Sequence, residues 1–253
     1  SPGDHVISIC PTYQQHYSIP ESFGAKLDIL WLRPENDFLP DLEELGRMLR
    51  PNTKLVVLNN PNNPTGALLM GANLEEFVAV VRTSGAYILC DEVYRGTNQV
   101  GNGFAPGMAD IYEKGISVSS MSKVFSLAGI RLGWIAAPRE VLEAVSIRRD
   151  YNTISVGMID DYFASLALEN KEQIIGRSQK ITRGNLKILD DWVSKEHSIS
   201  YKKPQAGTTA LLKYDFDIPS REFCIQLLRE TGVMFTPGSV MEMEGWLRIG
   251  YAN

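Results

Sequence analysis

The sequence predicts an α/β fold, a mixed, mostly parallel sheet sandwiched by helices, followed by a smaller α+β C-terminal unit. Three observations carry this. Short apolar runs rich in β-branched residues alternate with amphipathic stretches between residues 6 and 136. A stretch at helical spacing, long enough to connect two bodies, occupies residues 171–195. Beyond it the pattern changes to alternating strands around one amphipathic segment.

In chain order, strands are expected at residues 6–10, 26–32, 55–59, 87–91, 116–119 and 132–136. Residues 41–49 and 74–82 place apolar side chains at helical spacing and serve as crossover helices, the first with Asp41 after Pro40 as its N-cap. From Arg139 the chain turns helical, and after the long helix residues 199–216 alternate around an Ala206-Gly207 turn. Residues 221–230 form a further helix, and 233–235 and 246–251 read as strands. The expected domains are 1–170, a large domain, 171–197, the connecting helix, and 198–253, a small C-terminal domain. No repeat or Gly/Ser-rich linker separates them, so they should pack closely.

Composition narrows the function classes. The 253 residues are 44% hydrophobic, enough to bury a real core. A formal net charge of -5 lacks the basic excess that neutralising nucleic-acid phosphates requires. The apolar runs fall well short of the ~20 residues of a membrane helix, and the first residues do not form a signal peptide. A cytoplasmic setting is expected. Cys10, Cys90 and Cys224 are widely spaced with no CxxC pair, against both a disulfide framework and a zinc site. His5, His16 and His197 show no metal-ligand spacing and read as ordinary histidines.

Five segments carry candidate chemistry. The segment Ser120-Met121-Ser122-Lys123 sets a lysine just beyond a strand among small hydroxyls, eight residues before Arg131. A neutral lysine amine condenses with carbonyls to form a Schiff base, and hydroxyls with an arginine fork suit a phosphate. The run Asn59-Asn60-Pro61-Asn62-Asn63-Pro64-Thr65-Gly66 follows an apolar strand, at the carboxyl end where α/β sheets bind ligands. The strand 87–91 ends in Asp91, an acid that burial makes costly unless it meets a positive partner, with Tyr94 three residues on. Asp91 as a helix cap, with Glu92 as the functional acid, is the alternative. Tyr13 follows the first strand, as an aromatic platform or a plain buried tyrosine. In Trp246-Leu247-Arg248-Ile249-Gly250 an arginine sits within an apolar strand; buried, it needs an anion, whereas strict alternation would turn it to solvent.

The lysine segment, through Gly129-Ile130-Arg131-Leu132-Gly133, resembles the lysine signature of the class I and II aminotransferases, and the other motifs follow that family's order from Pro2 to Gly250. The resemblance implies a fold-type I enzyme dependent on pyridoxal 5'-phosphate. It implies Lys123 as the catalytic lysine and Schiff-base partner, Arg131, Ser120 and Ser122 at the phosphate, and Asn63 and Tyr94 at the phenolic oxygen. It further implies Asp91 at the pyridinium nitrogen, Tyr13 stacked on the ring, and Arg248, with Asn63, at the substrate α-carboxylate.

The implied function is transfer of an amino group between an α-amino acid and a 2-oxo acid, by a homodimer. β-Lyases, decarboxylases and amino-acid oxidases share this cofactor shell, because the protein decides which bond of the cofactor adduct breaks. A non-catalytic module of the same fold is the reading from another class. Members of the family also carry a stretch before the first strand, with a Gly/Ser/Thr phosphate loop, and a helix after the arginine strand. Neither is expected within these residues.

Overall fold

A computed structural model describes residues 2–102 and 104–252. The β-branched run of β1 (His5–Cys10) is buried along its whole length, because sheet neighbours flank it on both sides and helices cover its faces. It leads into α1 (Gln15–Ser22) and β2 (Lys26–Trp31). α2 (Leu42–Met48) starts at Asp41, whose side chain accepts hydrogen bonds from the Glu43 and Glu44 amides at 3.0 and 2.9 Å, the expected cap.

The alternation continues through β3 (Thr53–Asn59), α3 (Ala72–Arg82), β4 (Tyr87–Asp91), the short α4 (Met108–Ile111), β5 (Gly115–Ser120) and β6 (Gly133–Ala136). The resulting sheet has the order β2-β1-β3-β4-β5-β6. All its pairings are parallel except that of β5 with β6. This is the mixed, mostly parallel sheet the sequence predicts. Ile7, Ile9, Val56, Leu58 and Ile88 of the sheet pack with Leu74, Phe77 and Val81 of α3 in one core.

After α5 (Arg139–Arg149) and α6 (Met158–Glu169) comes α7 (Lys171–Val193). Near its start Ile175 packs with Met121 and Val124, beside the candidate lysine; near its end Leu186, Leu189 and Val193 pack under a second sheet. That sheet has the order β7-β8-β10-β9, formed by β7 (Ile199–Tyr201), β8 (Thr209–Tyr214), β9 (Thr236–Pro237) and β10 (Trp246–Gly250), with α8 (Ser220–Thr231) between β8 and β9.

Two departures from expectation have a clear physical cause. The strand expected at residues 233–235 lies at Thr236–Pro237 instead. α8 ends on Gly232 at φ 75°, and this left-handed turn sends Val233 and Met234 out into solvent before the chain reaches β10. α1 has no counterpart among the expected helices, because it buries no residue and contains Pro20, so it shows none of the apolar periodicity that marks α2 and α3.

Candidate functional site

The parallel strands β1, β3, β4 and β5 lie side by side and end at the same edge of the sheet: Asn59 pairs with Asp91, and Asp91 with Val118. The segments leaving those ends carry Tyr13, Asn63, Asp91 with Tyr94, and Lys123. Backbone topology alone therefore gathers residues that lie far apart in the chain.

At the end of β4, the Asp91 carboxylate accepts a hydrogen bond from the Val93 amide at 3.1 Å through Oδ1, and its Oδ2 lies 3.2 Å from His16 Nε2. The other ring nitrogen of His16 lies 2.9 Å from Thr12 Oγ1. Both side chains are largely enclosed. Asp91 thus has a ring partner that orients it. His16 is no ordinary histidine of the surface, and no sequence motif marks it, because 75 residues separate the pair.

Glu92 takes the opposite face of the strand. Its Oε1 accepts from the Met108 amide and the Ser117 hydroxyl, each at 2.7 Å, and burial pushes its carboxyl above the usual range. Asp91, not Glu92, is the acid at the strand-end cluster, and it begins a turn rather than capping a helix.

Asn59 fastens the Asn-Pro turn to this acid. Its Nδ2 donates to the Asp91 carbonyl at 2.9 Å, and its Oδ1 accepts the Asn63 amide at 2.7 Å. Asn60 exchanges two side-chain hydrogen bonds with the Leu69 backbone, and Asn62 reaches the Pro11 carbonyl at 3.2 Å. The peptide bonds Cys10-Pro11, Asn60-Pro61 and Asn63-Pro64 are cis. Every asparagine side chain from 59 to 62 is thus committed to holding the turn.

Arg248 lies in the middle of β10, opposite Leu211 on β8 and Thr236 on β9. It does not point to open solvent. Its Nη1 donates to Asn63 Oδ1 at 3.4 Å and its Nη2 to Thr236 Oγ1 at 3.2 Å. Both acceptors are neutral, and among the described residues no carboxylate forms an ion pair with this half-buried guanidinium. Tyr94 is 4% exposed; burial pushes its phenol up, opposed by the Thr208 hydroxyl and the charge of Arg248.

Lys123 is exposed and lines a cavity of about 280 Å³ with Thr97, Ser126, Arg177, Ser178 and Thr208. Its loop is anchored by Ser178, whose hydroxyl donates to the Val124 carbonyl at 2.8 Å. Ser120, Ser122 and Arg131 form a separate group. The Ser122 amide donates to Ser120 Oγ at 3.2 Å, and Arg131 Nη1 reaches Ser122 Oγ at 3.5 Å and the Ala128 carbonyl at 2.7 Å. Tyr13 is 51% exposed, edge-on to His16, with its hydroxyl accepting from Gln15. It is therefore not a plain buried tyrosine.

A cavity of about 570 Å³ lies elsewhere, between Glu92, Arg95, Phe104, Trp134 and α7, and of the candidate residues only Glu92, the alternative acid, lines it. Convergence of the Asp91 acid, the Tyr94 phenol and the Arg248 guanidinium outweighs volume as the mark of a reactive site.

Known proteins resemble this chain along its whole length. A family model described as aminotransferase class I and II matches residues 1–253. Capreomycidine synthase of Streptomyces vinaceus is 30% identical over 98% of this chain and 64% of its own length. The aspartate/prephenate aminotransferase of Thermus thermophilus is 27% identical over 100% of this chain and 66% of its own. Among solved structures, a PLP-dependent aminotransferase from Streptococcus suis superposes with a TM-score of 0.95 at 46% identity, covering 100% of this chain and 67% of that one. The chain thus spans just under two thirds of the length of the curated relatives it matches. On the strength of the match along its whole length, the chain belongs to the class I and II aminotransferases.

Proposed function

We propose that this chain forms the cofactor-binding body of a pyridoxal 5'-phosphate-dependent aminotransferase that moves an amino group between an α-amino acid and a 2-oxo acid. Class I and II aminotransferases of this fold use that cofactor. The observation that carries the substrate class is Arg248: a half-buried guanidinium that meets only neutral oxygens is a site for an anionic group. A planar fork suits a carboxylate.

The residues present fit the cofactor. Asp91, oriented by His16 and the Val93 amide, would hold the protonated ring nitrogen. Tyr94 and Asn63 would donate to the phenolic oxygen, Tyr13 would offer its half-exposed ring to the pyridine face, and Ser120, Ser122 and Arg131 would bind the phosphate. Bound there, the cofactor supplies an electron sink for the bond broken at the substrate α-carbon. Lys123 would carry it and move the proton at that carbon. Arg248, with Asn63 beside it, would orient the substrate carboxylate so that the α-carbon bond faces Lys123.

A homodimer belongs to the same reading. β6 is an edge strand exposed at all four residues, and Tyr151, Met158, Ile159 and Tyr162, between 66% and 91% exposed, present an apolar face of the kind that marks a protein contact. The free, buried cysteines suit a reducing cytoplasmic compartment.

One relative is named a synthase rather than an aminotransferase, so the reaction type is decided by products. Incubating the protein with pyridoxal phosphate and a panel of amino acids should yield 2-oxo acids and pyridoxamine phosphate. Ammonia with pyruvate would indicate β-elimination, carbon dioxide decarboxylation, and dioxygen uptake an oxidase. A protein that binds the cofactor and yields no product would be a non-catalytic module.

A further inference from the structure

Thr97 is 1% exposed and makes two hydrogen bonds of different reach. Its hydroxyl donates to the Tyr94 carbonyl at 2.6 Å, a local turn bond. It also accepts the Gly207 amide at 2.7 Å, across 110 residues and from the other sheet's leading turn. Gly207 is held from its far side as well: its carbonyl accepts the Tyr251 hydroxyl at 2.9 Å, and the Tyr251 amide donates to the Thr208 carbonyl at 2.9 Å.

Tyr251 stands three residues beyond Arg248, just past the end of β10. The same turn reaches the Asn-Pro segment, where the Gln205 and Ala206 amides donate to the Gly66 carbonyl at 2.8 and 3.0 Å. Approach there is so close that a Cβ on Gly66 would lie 2.5 Å from Pro204 Cβ. The Ala206-Gly207 turn therefore touches three segments at once, those bearing Tyr94, Asn63 and Arg248, and the buried Thr97 hydroxyl ties it to the Tyr94 segment beside the Gln99 amide, which donates to the Gln205 carbonyl at 2.9 Å.

The geometry points to Thr97 as a positioning residue that fixes the spacing between the Tyr94 phenol and the Arg248 guanidinium across the junction of the two sheets. This rests on the functional reading above. Without the Thr97 hydroxyl, the Gly207 amide is left buried and unpaired, and the Tyr94 turn is held against Thr208 and β10 by fewer bonds, the Gln99 amide to the Gln205 carbonyl and the Thr208 hydroxyl at Tyr94 remaining. A strained or displaced Tyr94 donates less well to the cofactor's phenolic oxygen, so the protonated form of the bound cofactor persists to higher pH. The charged and titratable groups facing Tyr94 are Arg248, Asp91, Tyr13 and Tyr251, and Thr97 moves none of them by charge.

The test compares Thr97→Val, close in shape and without the hydroxyl, with Thr97→Ser, which keeps it, and with Tyr251→Phe, which releases Gly207 from the opposite side. Each is loaded with pyridoxal phosphate, and two quantities are read: the pH midpoint of the cofactor's visible absorbance, and the dissociation constant of a 2-oxo acid. Thr97→Val should raise the midpoint by roughly half a pH unit, about threefold in the proton equilibrium, and weaken 2-oxo acid binding by about 2- to 10-fold. Thr97→Ser should restore both, and Tyr251→Phe should shift both in the same direction as Thr97→Val.

If Thr97→Val fails to fold, the Tyr251→Phe shifts decide the matter. A folded Thr97→Val, or failing that Tyr251→Phe, with both quantities unmoved would reduce the bond to plain structure and overturn the proposal. A wild-type protein with no visible band would overturn the functional reading too, and so separates the two failures.

Discussion

Replacing Arg248 by lysine tests the substrate class and the placement of β10 together. In the structure the two terminal guanidinium nitrogens are divided between Asn63 Oδ1 at 3.4 Å and Thr236 Oγ1 at 3.2 Å, so the fork spans the gap between the second sheet and the Asn-Pro turn. A lysine ammonium keeps the charge but cannot reach both sides in one plane. The substrate carboxylate then loses one charge-assisted hydrogen bond, about 1.5–3 kcal/mol, equivalent to a fall in kcat/KM of about 10- to 200-fold for α-amino acids. The assay is steady-state transamination with an α-amino acid beside a simple amine that lacks the carboxylate. Absorbance of the bound cofactor should be unchanged, and the amine should lose far less. Equal loss for both substrates, or release of the cofactor, would refute the carboxylate role and make Arg248 a structural residue.

Three further outcomes are expected. Asp91→Asn should bind cofactor yet slow α-proton removal strongly in single-turnover measurements, because an amide does not keep the ring nitrogen protonated; a rate within a few fold of wild type would contradict that role. Glu244 accepts from the Ser220 amide and, at 3.0 Å, from the Ser220 hydroxyl at the start of α8, and these bonds hold its carboxyl below the usual range. A group lowered in this way stabilises the fold above its unfolded-state value and loses that contribution as pH falls through the folded one. Glu244→Ala should therefore cost about 1 kcal/mol in thermal unfolding at neutral pH, with the difference from wild type closing in acid; an equal deficit at every pH would argue for packing instead. Phe77, fully buried in the core of the first sheet, should cost about 3–5 kcal/mol on truncation to alanine, read from the denaturant midpoint.

Much of this was legible in the sequence, for identifiable physical reasons. The inner strands of the first sheet are covered on both faces, so β1, β3 and β4 stand out as short, mainly apolar runs. The lysine segment, the Asn-Pro turn and Asp91 lie at strand ends because loops there are the part of an α/β sheet that meets ligands.

What escaped depends on contacts across long stretches of chain. His16 carries no local signal; only the sheet order, with β3 alone between β1 and β4, brings α1, which follows β1, against Asp91. Thr97 reads as a turn residue until Gly207 arrives from the second sheet. Asp91 and Glu92 could not be told apart from sequence, since adjacent strand residues face opposite ways and either face could have been the reactive one. The strand after α8 was displaced because the left-handed Gly232 sets where the chain re-enters the sheet, which the apolar character of Val233 and Met234 conceals.

The role proposed for Lys123 is to carry pyridoxal phosphate. The most direct measurement is borohydride reduction of the protein loaded with the cofactor, followed by proteolysis and mass spectrometry, with Lys123→Ala in parallel. One stably labelled peptide is expected, bearing phosphopyridoxyl on Lys123, with no specific label in Lys123→Ala despite an unchanged fold. A label on another lysine, or undiminished labelling of Lys123→Ala, would contradict it.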